Sequence, residues 1–195
     1  MVVNYELTGF SSLDDLVAHY VAIDPAGLRV DLGCGFYKPQ NFIGIDNFVG
    51  ERMQIRSQNL PDIIMNLEQP VPLEDECCTE VRASHFLEHS NVPHILDQVH
   101  RLLMPQGTFM FTVPYANSAE GMYPGHTIFF TEKWFFLNIQ FQECFEIENI
   151  RYDPSDTYEN EMPSELKSLI PFEIARKFMF NVCNQMTITA KVKKN

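Results

Sequence analysis

A glycine-rich turn and the acid that follows it are the first residues whose types and spacing could do chemistry. The run Asp31-Leu-Gly33-Cys-Gly35 comes directly after a short apolar segment, and Asp46 ends the next one. Glycines permit positive φ and let backbone N–H groups approach a ligand with no Cβ in between. A carboxylate at the end of the second segment can accept hydrogen bonds from both hydroxyls of a ribose. Together these features predict a nucleoside-binding site.

The same spacing disfavours two common nucleotide motifs. The dinucleotide fingerprint needs a third glycine three positions after the second, and an acid about 20 residues further on. Lys38 occupies the third-glycine position, and Asp46 comes too early for the acid. A phosphate-binding G-x-x-x-x-G-K-[ST] loop does not occur in the sequence. The pattern therefore argues against NAD and against a P-loop nucleotide.

Histidines supply the second set of chemically capable groups. His85-Phe-Leu-Glu88-His89 matches the H-x-x-E-H pattern of inverted zinc peptidases, which requires a helix that places both histidines on one face. Residues 79–84, just before it, have the composition of a strand. We therefore rank a zinc metallopeptidase third, predict no metal ligands, and expect Glu88 and His89 to anchor a strand-to-helix turn. His126 lies in a loop before an aromatic-rich segment.

Apolar segments alternating with amphipathic ones must position these groups. Strands are predicted at 28–32, 42–46, 62–66, 79–84, 107–115, 141–153 and 184–194. Helices are predicted at 11–21, 91–105, 131–141 and about 172–182, with an acidic, turn-rich stretch at 153–164. This alternation indicates an α/β sandwich with a largely parallel sheet, whose ligands bind at the carboxyl ends of the strands. The glycine turn and Asp46 fall at those ends.

Length, charge and cysteine content bound the class of protein. The chain has 195 residues, 26 acidic and 14 basic side chains and a formal charge of −12, which indicates one domain and disfavours a nucleic-acid partner. No apolar run approaches the about 20 residues of a membrane span. The amino terminus does not resemble a signal peptide, and the five cysteines form no C-x-x-C pair, so we expect free thiols in a cytoplasmic protein. The oligomeric state is not readable from the sequence.

Four spaced motifs resemble those of class I S-adenosylmethionine-dependent methyltransferases, specifically the type 11 branch. In chain order they are DLGCG, IGID, PLEDECCTEVRASHFLEH and RLLMPQGTFMFTVP, within about 28–135. The resemblance implies a single-domain Rossmann-like fold, a three-layer sandwich with a mostly parallel seven-stranded sheet and an antiparallel last strand. The domain would span 1–195, with a cofactor-binding half at about 22–115 and a substrate-side half at about 116–195.

The resemblance also implies a set of cofactor-binding residues for S-adenosylmethionine and its product, S-adenosylhomocysteine. They are Asp31, Gly33, Gly35, Asp46, Asn66, Leu67 and Ser84. Asp46 would bind the ribose hydroxyls, Asn66 would face the adenine amino group where the family often has aspartate, and Leu67 would pack on the ring. Ser84 would border the methyl group.

Catalysis would need a base only if the acceptor is a hydroxyl or a protonated amine. Histidine suits that role near neutral pH, so His85 is the first candidate and His126 the second. The implied function is methyl transfer to a small-molecule or glycan acceptor. The alternative is a catalytically inactive methyltransferase-fold protein that acts as a binding or regulatory module.

One departure from the family pattern bears on that choice. Parallel strands normally need a crossover of about a dozen residues or more, but only residues 33–41 separate Leu32 from Phe42. We therefore expect the first crossover helix to be reduced to about one turn, which would expose the cofactor site.

Overall fold

One sheet organises the part of the chain that the computed structural model describes, residues 3–47 and 60–194. Its strands are β1 (Tyr5–Leu7), β2 (Leu28–Leu32), β3 (Ile43–Asp46), β4 (Ile63–Met65), β5 (Cys78–Ser84), β6 (Leu103–Pro114), β7 (Phe145–Pro154) and β8 (Cys183–Val192). The α-helices are α1 (Leu13–Ile23), α2 (Val92–Leu102), α3 (Glu132–Leu137), α4 (Ile139–Cys144), α5 (Ser164–Leu169) and α6 (Phe172–Phe178). The described helices include none long and apolar enough to cross a membrane.

The strand order is β1-β4-β3-β2-β5-β6-β8-β7. Strands β2 to β6 pair in parallel, and β8 runs antiparallel between β6 and β7. The mostly parallel sheet and its antiparallel last strand are therefore confirmed. The predicted count of seven strands is corrected to eight within residues 3–47 and 60–194, because β1 adds an antiparallel strand to the outer edge of β4. That strand is only three residues long, too short to show a clear period of two in the sequence.

Burial explains why the central elements form where they do. Four of the five residues of β2 are buried, as expected for a parallel strand covered on both faces. Helix α2 buries an apolar stripe against the sheet, which includes Val92, Ile95 and Val99. Strands β2 and β5 pair in parallel, so the loops that follow their carboxyl ends lie side by side.

The short crossover between β2 and β3 contains turns instead of the single helical turn predicted. A buried ion pair replaces helix packing there: Lys38 Nζ lies 2.8 Å from Asp62 Oδ2 and 3.0 Å from the hydroxyl of Tyr20 on α1. Asp62 also accepts a hydrogen bond from the backbone N–H of Gly44, at 2.8 Å. Lys38, which occupies the third-glycine position of the dinucleotide fingerprint, therefore links the crossover to the sheet through Asp62.

The segment predicted as one helix over 131–141 is two helices, α3 and α4. The side chain of Asn138 accepts a hydrogen bond from the backbone N–H of Phe141, at 2.8 Å, and so caps a new helix. Helix α4 runs to Cys144, so the strand predicted from 141 starts at Phe145. The stretch predicted to be rich in turns, 153–164, contains a π-helical segment, Thr157–Glu161, and helix α5 begins at its end, directly after Pro163.

Candidate functional site

A cavity of about 190 Å³ lies at the carboxyl ends of β3, β4 and β5. It is lined by Asp46, Asn47, Asn66, Leu67, Glu68, Phe86, His89 and Ser90. Three of the residues implied by the family resemblance therefore meet in one place: Asp46 at the end of β3, and Asn66 and Leu67 directly after β4. The cavity is smaller than the about 300–1,000 Å³ of pockets that enclose a drug-sized ligand, so it fits part of a larger ligand.

The glycine turn is tied directly to this cavity. The backbone N–H of Gly35 donates a hydrogen bond to Asp46 Oδ2, at 2.8 Å. Gly33 and Gly35 have φ of +66° and +50°, the left-handed region that favours glycine. A Cβ on Gly33 would overlap the ring of Phe86, whereas a Cβ on Gly35 would meet no heavy atom within 4 Å. The turn is therefore packed closely on one side and open at Gly35.

Asp31 is a buried carboxylate directly before the turn. Its Oδ2 lies 3.2 Å from Arg82 Nη1 on β5, and among the described residues Oδ1 has no hydrogen-bond partner. Burial raises the pKa of Asp31 to about 7; the charge of Asp46 acts in the same direction, and those of Arg82 and Lys38 oppose it. Asp31 is thus a partly unsatisfied acid whose charge a cationic ligand group would stabilise.

The raised pKa of Asp31 makes stability depend on pH in a definite direction. Between the ordinary pKa of 3.8 and about 7, the folded protein keeps a proton that the unfolded chain has lost, so the free energy of unfolding falls as pH rises. Asp31→Asn removes this titration. From pH 5 to pH 8 we expect the variant to gain up to about 3 kcal/mol relative to the wild type in urea unfolding. Parallel stability curves would contradict the assignment.

Asn66 differs chemically from the aspartate common at this position. Its Oδ1 accepts a hydrogen bond from the backbone N–H of Glu68, at 3.0 Å. An aspartate would offer a second oxygen, but asparagine presents an N–H group in its place. The side chain therefore has one remaining acceptor lone pair for an amino group.

His85 stands at the carboxyl end of β5 in a strained conformation, with φ of +51°. Its Nε2 lies 2.8 Å from Gln185 Oε1, and the amide of Gln185 in turn donates to Asp153 at 2.7 Å. The amide orientation makes Nε2 the protonated nitrogen and directs Nδ1 toward Glu88 Oε1, at 3.5 Å. The adjacent Glu88 carboxylate raises the pKa of His85, which burial opposes.

The H-x-x-E-H segment does not form the helix that a peptidase needs. Leu87–His89 is a single 3₁₀ turn, and His85 lies outside it, so the two histidines do not share a helix face. The expectation that Glu88 and His89 occupy a strand-to-helix turn agrees with this geometry. His126 instead packs edge-on against His89, with ring centroids 4.8 Å apart.

The structure brings only some of the predicted residues together. Asp46, Asn66 and Leu67 line the cavity, whereas the lining does not include Asp31, Gly33, Gly35, Ser84, His85 and His126. Ser84 lies at the end of β5, half-buried. Phe86 and Gln185 were not among the predicted residues. Phe86 follows β5 directly, where a large apolar side chain in a loop is a usable signal, but Gln185 is 100 residues from His85 and only the fold brings it there.

Comparisons with known proteins identify the fold. No family model and no curated protein sequence matches the chain. Among solved structures, a SAM-dependent methyltransferase from Archaeoglobus fulgidus superposes with a TM-score of 0.56 at 16% identity, covering 92% of this chain and 94% of that one. An S-adenosylmethionine-dependent methyltransferase from Mesorhizobium loti gives 0.52 at 20% identity, covering 92% and 100%. The chain therefore has the class I methyltransferase fold, and the type 11 assignment stays a prediction.

Proposed function

We propose that the protein binds S-adenosylmethionine and transfers its methyl group to a small-molecule or glycan acceptor. The observation that carries this proposal is the meeting of Asp46, Asn66 and Leu67 in one cavity beside an open glycine turn. In an α/β sheet of this kind, the carboxyl ends of the strands are where ligands bind. The fold alone would not decide between functions, so the proposal rests on these residues.

The cavity suits the adenosine part of the cofactor. Leu67 and Phe86 provide apolar walls for a planar base, and Asp46 provides a carboxylate for two hydroxyls. The remaining lone pair of Asn66 Oδ1 would accept from the adenine amino group. A cavity of about 190 Å³ encloses only part of the molecule, so the methionine part would extend past Gly35, where the structure leaves open space.

Asp31 is proposed to act on the cationic part of the cofactor. When bound, S-adenosylmethionine supplies a methyl group on a positively charged sulfur, which is a good leaving group. The protein then has to supply proximity, orientation and exclusion of water. Asp31 would stabilise positive charge near Gly33 and Gly35, while Ser84, His85 and His126 would border the acceptor. Ionisation of Asp31 near pH 7 would make binding stronger at alkaline pH.

Calorimetric titration of the purified protein with S-adenosylmethionine and with S-adenosylhomocysteine tests the proposal. We expect both to bind at one site with a Kd in the micromolar range. Adenosine alone should bind more weakly, because it lacks the methionine part, and it should compete with both compounds. A folded protein that binds neither compound would refute the enzyme proposal and support the non-catalytic alternative, for which the short crossover and Asn66 are the supporting features.

A further inference from the structure

We infer that Glu88, His89 and His126 form a binding site for a first-row divalent metal ion of the zinc class, at the edge of the proposed cofactor cavity. One carboxylate oxygen and one ring nitrogen from each histidine lie within 4.8 Å of one another. The two histidines come from the loop after β5 and from the loop before α3, so only the fold brings them together. The metal's role in catalysis rests on the proposed function, but its binding does not.

Glu88 is the group that most needs a ligand. Its side chain is 1% exposed, and neither carboxylate oxygen has a hydrogen-bond partner among the described residues. The closest basic atom, His85 Nδ1, is 3.5 Å from Oε1, longer than an ordinary hydrogen bond. The contact with His85 is a loose ion pair that only partly compensates the buried carboxylate, and an absent ion is one of the recognised reasons for such an under-satisfied group. A cation bound by Glu88 would supply the missing interaction.

Both histidines are held in the tautomer that leaves Nε2 free to bind a metal ion. His89 Nδ1 lies 3.1 Å from the carbonyl oxygen of Gly125, and His126 Nδ1 lies 3.2 Å from that of Gly121. A carbonyl only accepts, so Nδ1 carries the proton in each ring and Nε2 keeps its lone pair. A backbone carbonyl that orients the second nitrogen is the usual outer-shell partner of a metal-binding histidine.

The donor set favours zinc over magnesium. Imidazole nitrogen binds zinc and its neighbours in the first row well, whereas magnesium prefers an all-oxygen environment. Two histidines and a glutamate also leave a coordination position open for water or substrate. In a tetrahedral site with bonds of about 2.0–2.1 Å, ligand atoms are about 3.3 Å apart. The present spacing of up to 4.8 Å would therefore have to shorten by about 1.5 Å when the ion binds.

The position of the ion would favour an oxygen acceptor. His89 lines the same cavity as Asp46 and Asn66, so an ion on His89 would lie beside the proposed cofactor. A coordinated hydroxyl has a strongly lowered pKa, as metal-bound water does. It would release its proton to water and present a nucleophilic oxygen. We therefore expect acceptors with a metal-coordinating hydroxyl, and we assign His126 to the metal instead of to proton transfer.

Zinc titration of untagged, chelator-treated full-length protein tests the site without any cofactor. Calorimetry should give one equivalent of Zn²⁺, and Mg²⁺ should bind at least 100-fold more weakly. His126→Asn and Glu88→Gln should each weaken Zn²⁺ binding at least tenfold. His19→Asn, which changes an exposed histidine on α1, is the matched control and should leave the affinity unchanged. Cobalt should give visible absorption bands that His126→Asn removes.

Several outcomes would overturn the inference. These are a folded wild type that binds no Zn²⁺, tighter binding of Mg²⁺ than of Zn²⁺, and equal affinity in His126→Asn and His19→Asn. His126 lies half-buried in a loop, so we expect His126→Asn to fold. This variant therefore still tests the metal site if Glu88→Gln does not fold. Asp46→Ala should retain Zn²⁺ binding. Zinc binding without S-adenosylmethionine binding would refute only the proposed function, and the reverse result would refute only the metal site.

Discussion

Asp46→Ala should weaken S-adenosylmethionine binding by at least about 100-fold, because two hydrogen bonds to a charged acceptor contribute about 1.5–3 kcal/mol each. The substitution also removes the acceptor of the Gly35 N–H group, which lies 2.8 Å from Oδ2. The turn and the proposed ribose site would be lost together. Calorimetric titration at constant pH measures the effect directly.

Asp46→Asn separates the loss of the Gly35 hydrogen bond from the loss of the hydrogen bonds to the ribose hydroxyls. Asparagine keeps one acceptor for the Gly35 N–H group but not two acceptors for a pair of hydroxyls, so its affinity should lie between those of the wild type and the alanine variant. Asp156→Ala removes the same charge at an exposed position and should bind like the wild type. Wild-type affinity in the folded Asp46→Ala variant would remove the ribose assignment.

Asp62→Ala should lower the free energy of unfolding by about 3–5 kcal/mol, since it leaves a buried lysine without its counter-charge. The side chains of Lys38 and Asp62 are 11% and 9% exposed, and Nζ approaches both carboxylate oxygens, at 2.9 Å and 2.8 Å. The Gly44 N–H group would lose its acceptor as well. Urea unfolding measures the loss, and the Tm should fall by roughly 6–20 °C.

A solvent-exposed aspartate in an ion pair provides the control. Asp75 Oδ1 lies 2.8 Å from Arg101 Nη1, but the Asp75 side chain is 73% exposed. Asp75→Ala should therefore cost no more than about 1 kcal/mol. If the two alanine variants lost equal stability, the crossover would not depend on the buried pair. Cofactor affinity should also fall in Asp62→Ala, because Lys38 belongs to the crossover that carries Gly33 and Gly35.

The elements with strong local patterns were predictable from the sequence. Helix α2 has apolar residues at helical spacing, and β2 is a short, mostly apolar run directly followed by Gly33. The boundaries were harder where side chains decide them. The Asn138 cap divides one predicted helix into α3 and α4, and β1 is fixed by its register with β4 instead of its own pattern.

The sequence by itself determined the fold class, the left-handed glycine turn and the positions of Asp46, Asn66 and Leu67 at strand ends, because propensity, spacing and strand polarity are local properties. Only the tertiary structure decided which groups meet. It placed Lys38 on Asp62, Gln185 on His85 and His126 beside His89. These pairs lie far apart in the chain, and their contacts follow from the packing of the sheet and its loops, which no short-range pattern encodes.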